Sequence, residues 1–213
     1  MPHNKRNMRQ ILARGPVMPV LTIHNADTAE QLALALVAGG IFVFEVLLRT
    51  PQALDAVKAM VRVTPQADIG LGTLLTPEDV AAAVEAGVAF GVSPGLTPAL
   101  SEAVLSVNLP FLPGTSSASE VMTARAAGFR ELKLFPAQGA AGIPWLRNMA
   151  PVFPDTLFCP TGGIKPADIP AYLALPNCCT VGGSWAVPDS LVMAHDWAAI
   201  TALARISAAM KPG

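Results

Sequence analysis

Short apolar runs, each followed by a longer segment with helical periodicity, recur along the whole chain. Some of these runs, such as the one from Ile41 to Leu48, are apolar on both faces, as is typical of parallel strands buried on both sides. The pattern predicts eight strands, at residues 17–23, 41–48, 67–72, 89–92, 109–112, 131–136, 156–159 and 178–181. Strands that alternate with helices in this way favour a parallel sheet.

Capping residues and glycines mark where the intervening helices begin and end. Three helices are predicted to start on a threonine cap with proline in the first turn, at Thr50-Pro51, Thr76-Pro77 and Thr97-Pro98. Asp27 or Thr28 is expected to cap an earlier helix, which Gly39 and Gly40 would end. Further helices are predicted at residues 4–14, 119–127, 145–149 and 196–210, and from about residue 166.

The order of these elements predicts the architecture. No linker or change in composition divides the chain, so we expect one α/β domain over residues 1–213. The number and spacing of the strand–helix units favour a small (β/α)8 barrel, or TIM barrel, with a short N-terminal helix. A doubly wound open sheet is the alternative, but it would leave fewer strands or need longer insertions.

Composition and charge narrow the classes of function. The chain of 213 residues is 52% hydrophobic and only 14% charged, which is typical of a compact α/β protein and not of a disordered one. Its formal net charge of −1 provides no basic field, so we expect no nucleic acid partner. Neither a membrane-spanning run nor the apolar core of a signal peptide is present in the sequence. We therefore expect no membrane association and a cytoplasmic protein.

The spacing of cysteine and histidine residues argues against a metal site. The three cysteines have neither metal-ligand spacing nor the even number of a disulfide framework; they are Cys159, Cys178 and Cys179. No acid or thiol stands at ligand spacing beside the widely separated histidines, which are His3, His24 and His195. The sequence therefore predicts that no metal ion is bound.

Lys133 is the only lysine set inside an apolar strand-like run, at residues 131–136. Burying an ammonium group without a partner costs free energy, so such a lysine either loses its proton or pairs with a carboxylate. A neutral amine in an apolar pocket is a nucleophile toward carbonyl carbons. The alternative is a lysine whose stem packs in the protein while its charged end reaches solvent.

Glu45 is the only acid in the apolar second strand, and it helps to decide between these interpretations. In barrels of this kind, functional groups gather at the carboxyl ends of the strands. A structural ion pair is the alternative, but buried ion pairs are poor stabilisers. A buried lysine with a buried acid favours imine chemistry, in which the lysine attacks a ketone and the carboxyl group transfers protons. Arg49 and Thr73, just beyond the second and third strands, could hold a carboxylate.

Two Gly-Gly turns are predicted after the last two strands, at Gly162-Gly163 and at Gly182-Gly183, the latter followed by Ser184. Glycine allows backbone N–H groups to approach an anion closely. The loops after the last two strands are also where these barrels usually bind phosphate. The sequence therefore predicts a phosphate site between the two turns.

Six segments occur in an order and at a spacing that are specific to one family. They are Glu45-Val46-Leu47-Leu48-Arg49, Gly72-Thr73, Ser93-Pro94-Gly95-Leu96, Lys133-Leu134-Phe135-Pro136-Ala137, Cys159-Pro160-Thr161-Gly162-Gly163-Ile164 and Gly182-Gly183-Ser184-Trp185. With these segments the chain resembles, over nearly its whole length, the bacterial 2-keto-3-deoxy-6-phosphogluconate (KDPG) aldolases.

This resemblance implies an activity and a role for particular residues. It implies a class I aldolase of the Entner–Doudoroff pathway, without metal or other cofactor and usually homotrimeric, that cleaves KDPG to pyruvate and glyceraldehyde 3-phosphate. Lys133 resembles the Schiff-base lysine and Glu45 the acid/base of the family. The residues implied to bind substrate are Arg49 and Thr73 at the pyruvate carboxylate, Gly162, Gly163, Gly183 and Ser184 around the phosphate, and Pro94, Phe135 and Thr161 along the site.

Three positions depart from the usual family pattern, which has threonine where Leu47 stands, alanine in place of Leu71 and glutamate in place of Gln138. None has a chemical role, but the first two affect packing around the site. Related members act on 4-hydroxy-2-oxoglutarate (KHG) and sister enzymes on the galactonate epimer, so epimer preference and substrate breadth stay open. Two other classes also remain: a phosphate-binding isomerase or decarboxylase that uses the lysine only electrostatically, and a non-enzymatic sugar phosphate sensor.

Overall fold

The computed structural model describes residues 6–211, in which strands and helices alternate. The strands are β1 (Val17–Leu21), β2 (Val43–Leu47), β3 (Asp68–Gly72), β4 (Phe90–Val92), β5 (Phe111–Leu112), β6 (Gly114–Thr115), β7 (Glu131–Leu134), β8 (Leu157–Pro160) and β9 (Val181–Gly183). The helices are α1 (Met8–Leu12), α2 (Ala29–Ala38), α3 (Ala53–Val63), α4 (Pro77–Glu85), α5 (Pro98–Ser106), α6 (Ala118–Ala126), α7 (Gly142–Met149), α8 (Ile169–Leu173), α9 (Asp189–Met193) and α10 (Trp197–Ala208). Within residues 6–211, no helix is long and apolar enough to span a membrane.

The strands form a closed parallel barrel. They pair in the orders β5-β4-β3-β2-β1-β9 and β6-β7-β8. β5 and β6 are two halves of one strand, interrupted at Pro113, which has no N–H to donate to the ladder. Bridges from Phe158 to Cys178 and from Thr161 to Gly182 join β8 to β9 and close the ring. The predicted (β/α)8 barrel is therefore confirmed, and the open sheet is excluded.

The short N-terminal helix closes the amino end of the barrel. The apolar face of α1 packs against side chains that point into the barrel, namely Met18, Val43, Phe90, Val92, Leu112 and Cys159. At the start of β3, Asp68 accepts hydrogen bonds from Arg6 at 3.2 Å and from Arg14 at 2.7 Å. The predicted leading helix is confirmed but starts at Met8; residues 4 and 5 of the predicted segment lie outside the described part. With this end plugged, the cavity of the barrel opens at the carboxyl ends of its strands.

Two of the three threonine–proline helix starts are confirmed. Thr76 and Thr97 cap α4 and α5, and each is followed by proline at the first helical position. The third prediction is wrong, because α3 begins at Ala53 and the Thr50 hydroxyl donates instead to the carbonyl of Ile23, at 2.5 Å. The cap before α2 is also corrected: Asn25, not the residues that follow it, accepts the capping hydrogen bond at the preceding 3₁₀ helix, Ala26–Thr28.

The last strand differs most from its prediction. The pattern placed it at residues 178–181 and made Gly182-Gly183 a turn, but β9 runs from Val181 to Gly183. The reason is its partner: Val181 pairs with Val17, and Gly183 with Pro19, in β1. The two glycines therefore lie in the rim of the barrel wall, and α9, which follows at Asp189–Met193, was not predicted.

Candidate active site

Lys133 points into the barrel from β7. Because side chains alternate along a strand, Leu132 and Leu134 pack outward under the helices, while Lys133 faces the interior. Only 4% of the surface of Lys133 is exposed to solvent. The alternative of a lysine that reaches freely into solvent is therefore excluded by its burial.

Glu45 lies opposite the lysine, in the middle of β2, and is fully buried. Lys133 Nζ lies 3.3 Å from Glu45 Oε1 and 3.4 Å from Oε2. The carboxylate has room because its neighbour on β3 is Gly72: a Cβ added to that glycine would lie only 1.9 Å from Oε1. The two ionisable side chains that sequence analysis singled out, 88 residues apart, form a direct pair.

A second nucleophile lies in the adjacent strand but is inactive. Cys159 of β8 is the cross-strand partner of Lys133, and its side chain is fully buried. Burial raises the pKa of the Cys159 thiol to about 12, so it carries no thiolate at neutral pH. Cys159 therefore does not compete with Lys133 as a candidate nucleophile.

Arg49 and Thr73 form an anion-binding arrangement on the other side of the site. Arg49 Nε donates a hydrogen bond to Thr73 Oγ1 at 3.0 Å, which leaves the terminal nitrogens of the guanidinium group to bind a ligand. Thr73 has a φ of 65°, in the left-handed region that non-glycine residues rarely adopt. Strained backbone of this kind persists where the surrounding structure enforces it, and it is common at functional sites. The pair is suited to hold a carboxylate next to the lysine.

A cavity of about 470 Å³ opens above the lysine. Eight of the predicted residues line it: Arg49, Lys133, Phe135, Thr161, Gly162, Gly163, Gly183 and Ser184. The ring centroid of Phe135 lies 5.2 Å from Lys133 Nζ, within the range of a cation–π contact. Three predicted residues are not part of the lining: Glu45 lies beneath the lysine, Thr73 lies behind Arg49, and Pro94 packs against Gly114 of β6.

The turn after β8 presents backbone amides to the cavity. Gly162 and Gly163 have φ values of 100° and 80°, and the turn is fastened from behind by the backbone N–H groups of Ala137 and Gln138, which donate to Thr161 and Gly162. Within residues 6–211, the N–H group of Gly163 donates to no backbone carbonyl, whereas Gly162 follows the bridge that joins Thr161 to Gly182. A backbone amide without a carbonyl partner at a glycine turn is suited to bind an anion.

Sequence analysis anticipated Gly182 as part of the second glycine turn but missed the rest of the lining: Val20, Thr22, Leu47, Ile164 and Trp185. Val20 and Thr22 are two residues apart at the end of β1, so alternation along that strand would have placed both on one face. Trp185 lines the cavity and covers Gly183, and its buried indole Nε1 has no hydrogen-bond partner within the described residues. No local signal distinguishes an apolar cavity wall from core, which explains why these positions were missed.

Two of the histidines come together at the rim, away from the lysine. His24 and His195 line a separate cavity of about 470 Å³ beside the 3₁₀ helix and α9. Among residues 6–211 there is no cluster of three or more histidine, cysteine, aspartate or glutamate side chains able to hold a metal ion. His3 lies outside the described residues.

The arrangement as a whole is suited to one kind of chemistry. A buried amine can attack the keto carbon of a ligand whose carboxylate lies at Arg49, while the carboxyl group 3.3 Å away transfers protons. The glycine turn lies on the far side of the same cavity, where it can bind a phosphate. These features favour a phosphorylated 2-keto acid as the ligand.

Comparisons with known proteins agree with this chemistry. The family model described as KDPG and KHG aldolase matches residues 8–203. The KHG/KDPG aldolase of Escherichia coli is 43% identical over 201 residues, which cover 94% of each chain. The 2-dehydro-3-deoxy-phosphogluconate aldolase of Zymomonas mobilis is 45% identical over 206 residues, or 97% of each chain. A KDPG aldolase structure from Legionella pneumophila, 42% identical, superposes with a TM-score of 0.94 over 96% of this chain and 100% of that one; in it pyruvate is captured as a covalent carbinolamine intermediate.

Proposed function

This chain belongs to the KDPG and KHG aldolase family, and from that premise we propose that it cleaves KDPG to pyruvate and glyceraldehyde 3-phosphate through a Schiff base on Lys133. The enzyme is an aldolase, a carbon–carbon lyase. The observation that carries the assignment of the lysine is its buried pair with Glu45, 3.3 Å apart at the base of the cavity.

The first half of the reaction joins the substrate to the enzyme. The neutral amine of Lys133 attacks C2 of the keto acid, and the C2 oxygen takes up a proton to give a carbinolamine. Loss of that hydroxyl group as water, after a second proton transfer, leaves an iminium ion. Glu45 is the acid and base for both transfers, because its carboxyl oxygens are the closest titratable atoms to Nζ. Arg49, with Thr73 behind it, holds the C1 carboxylate and so orients C2 toward the lysine.

The second half breaks the carbon–carbon bond. A base removes the proton from the C4 hydroxyl group, the C3–C4 bond breaks, and its electron pair moves into the iminium to give an enamine while the aldehyde leaves. Protonation of the enamine at C3 and hydrolysis of the imine release pyruvate and regenerate the amine. Glu45 again supplies and accepts these protons. The glycine turn at Gly162 and Gly163, with Gly183 and Ser184 across the cavity, holds the phosphate at the far end of the substrate.

KHG is a second substrate of the proposed enzyme. The matching family model names both compounds, and so does the E. coli relative. KHG has the same 2-keto acid end as KDPG, which the lysine and Arg49 would hold in the same way. It lacks the phosphate that the glycine turn is proposed to hold. We therefore expect it to be cleaved with a lower kcat/KM.

A coupled assay for pyruvate release tests the proposed function. The purified enzyme should release pyruvate fastest from KDPG and more slowly from KHG. The ratio of the rates with KDPG and with its galactonate epimer measures the epimer preference. If none of the three releases pyruvate, the proposed function is wrong. Binding of KDPG without turnover would instead favour the sugar phosphate sensor.

Replacing Gly163 with valine should specifically weaken binding of the phosphate. Its φ of 80° disfavours any side chain, and a Cβ there would lie 2.3 Å from Gln138 Oε1, so the turn or the Gln138 side chain must shift. Loss of an anion contact of ~1.5–3 kcal/mol raises the KM for KDPG roughly 10- to 150-fold. Steady-state kinetics with KDPG and with KHG measure the effect.

Exchange of the methyl protons of pyruvate, followed by NMR, is the control for Gly163→Val. Pyruvate has no phosphate, so its exchange rate should fall far less than the KM for KDPG rises. Equal losses in both activities would show that the turn does not bind the phosphate selectively.

We also propose that the enzyme is a cytoplasmic homotrimer. The family resemblance supports the trimer, and so does the exposure of large apolar side chains, among them Leu75, Met122 and Met193. Light scattering coupled to size-exclusion chromatography should give three times the mass of the 22.1 kDa chain. A monomer at micromolar concentration would contradict the proposal.

A further inference from the structure

A threonine that the proposed mechanism does not use lies in the wall of the cavity at the end of β1. β1 and β2 pair in parallel, with Val20 opposite Glu45 and Leu21 opposite Val46. Continuing this register places Thr22 beside Leu47 at the rim. Both residues line the cavity above Lys133. The β1–β2 edge of the site therefore presents one hydroxyl group and one apolar side chain.

The position of Thr22 is held by its surroundings. The next residue, Ile23, accepts a 2.5 Å hydrogen bond at its carbonyl oxygen from the Thr50 hydroxyl, which fastens the end of β1 to the loop after β2. Thr22 itself is half-buried, and within residues 6–211 its hydroxyl group makes no hydrogen bond to another protein group. The backbone at Thr22 is thus held in place, and its hydroxyl group is available to a ligand.

The other hydroxyl groups of the cavity have different roles. Thr161 Oγ1 donates to the Cys159 carbonyl oxygen at 3.4 Å, so part of its hydrogen-bonding capacity is used. Ser184 lies with Gly183 at the end of the cavity assigned to the phosphate. The middle of the substrate, between the keto carbon at Lys133 and the phosphate, carries two hydroxyl groups that need partners. Thr22 is a side chain of the wall whose hydroxyl group is unused by the described residues, so it can bind one of them.

We propose that Thr22 is a specificity residue that hydrogen-bonds a hydroxyl group in the aldehyde-derived half of the substrate. The inference rests on the proposed aldolase function and extends it to the hydroxylated part of the substrate class. A site built to hydrogen-bond a substrate hydroxyl discriminates against ligands that lack it or carry it on the wrong face. Leu47, the neighbouring residue on β2, contributes no hydroxyl group, so the hydroxyl group of this wall lies on β1.

Thr22→Val, which keeps the shape of the side chain and removes its hydroxyl group, tests the proposal. We expect kcat/KM for KDPG to fall roughly 5- to 30-fold, the usual effect of losing one hydrogen bond to a ligand. Proton exchange of pyruvate, which has no such hydroxyl group, should fall less than twofold. Thr22→Ser should retain most of the wild-type kcat/KM, because the hydroxyl is restored.

A double variant tests whether the position of the hydroxyl matters. Thr22→Val combined with Leu47→Thr moves the hydroxyl group to the neighbouring strand of the same wall, and it should recover part of the loss in kcat/KM. A Thr22→Val enzyme with unchanged kcat/KM for KDPG, or with equal losses in cleavage and pyruvate exchange, would overturn the proposal. So would a double variant no better than Thr22→Val. A wild-type enzyme that releases no pyruvate from KDPG would refute the proposed function itself, which is a separate result.

Discussion

Lys133→Ala is expected to abolish release of pyruvate from KDPG. The variant has no amine at the base of the cavity, and its closest nucleophile, Cys159, is a buried neutral thiol. Without the covalent intermediate, kcat should fall by roughly 10⁴-fold or more. The coupled assay with KDPG measures this loss, and pyruvate proton exchange should disappear with it. An isomerase or decarboxylase that uses the lysine only for its charge would not exchange these protons even as wild type.

The loss of activity must be separated from a loss of fold. Lys133→Ala leaves the Glu45 carboxylate buried without its partner, which destabilises a protein by about 3–5 kcal/mol. The matched control is Lys133→Met combined with Glu45→Gln, in which neither side chain is charged. We expect this double variant to melt close to the wild-type temperature and still to be inactive. An active double variant would contradict the role of Lys133 as the Schiff-base lysine.

Glu45→Gln is expected to lower kcat by roughly 10²- to 10⁴-fold, the usual contribution of a positioned acid/base. Glutamine keeps the shape of the side chain and can still hydrogen-bond Lys133, but it has no proton to transfer at neutral pH. The steps that need a proton at the C2 oxygen and at C3 should all slow. Steady-state kinetics and the rate of pyruvate exchange should therefore decrease together.

The stability of Glu45→Gln distinguishes catalysis from a structural ion pair. Glutamine can still accept a hydrogen bond from Lys133, so we expect a cost of only ~1–2 kcal/mol, or roughly 2–8 °C in Tm. Thermal unfolding by circular dichroism measures it. A variant that melts far lower yet retains its specific activity would show that Glu45 stabilises the fold and takes no part in the reaction.

Local sequence patterns correctly predicted the helix starts whose capping hydrogen bonds stay within the same helix. Thr76 and Thr97 were recognised as caps because a threonine before proline binds amides of its own helix. Thr50 has the same local sequence, but its hydroxyl bonds the carbonyl of Ile23, 27 residues away. The bounds of β9 differ from the predicted ones for the same reason, since they are set by pairing with β1 and not by the apolar run of the strand itself. Contacts between distant segments decided the outcome where the local pattern failed.

In the candidate site, too, some residues could be predicted from the local sequence and others only from contacts between distant segments. Lys133 and Glu45 were found because a charged residue in an apolar strand is visible in the sequence, and the structure brings them together. Thr22, Leu47 and Trp185 were missed because a threonine, leucine or tryptophan at a strand end looks the same whether it faces a cavity or the core. Which face it takes depends on the register between β1, β2 and β9, and that register becomes known only from the folded barrel.

Reductive trapping with pyruvate tests the Schiff base most directly. Wild-type enzyme is incubated with pyruvate and sodium borohydride, digested, and mapped by mass spectrometry. We predict that the imine is reduced to a stable secondary amine on the peptide that contains Lys133, and that trapping inactivates the enzyme in proportion to labelling. The exposed Lys165, three residues beyond Gly162, should remain unmodified and is the internal control. Active enzyme that cannot be labelled, or that carries the label on Lys165, would contradict covalent catalysis by Lys133.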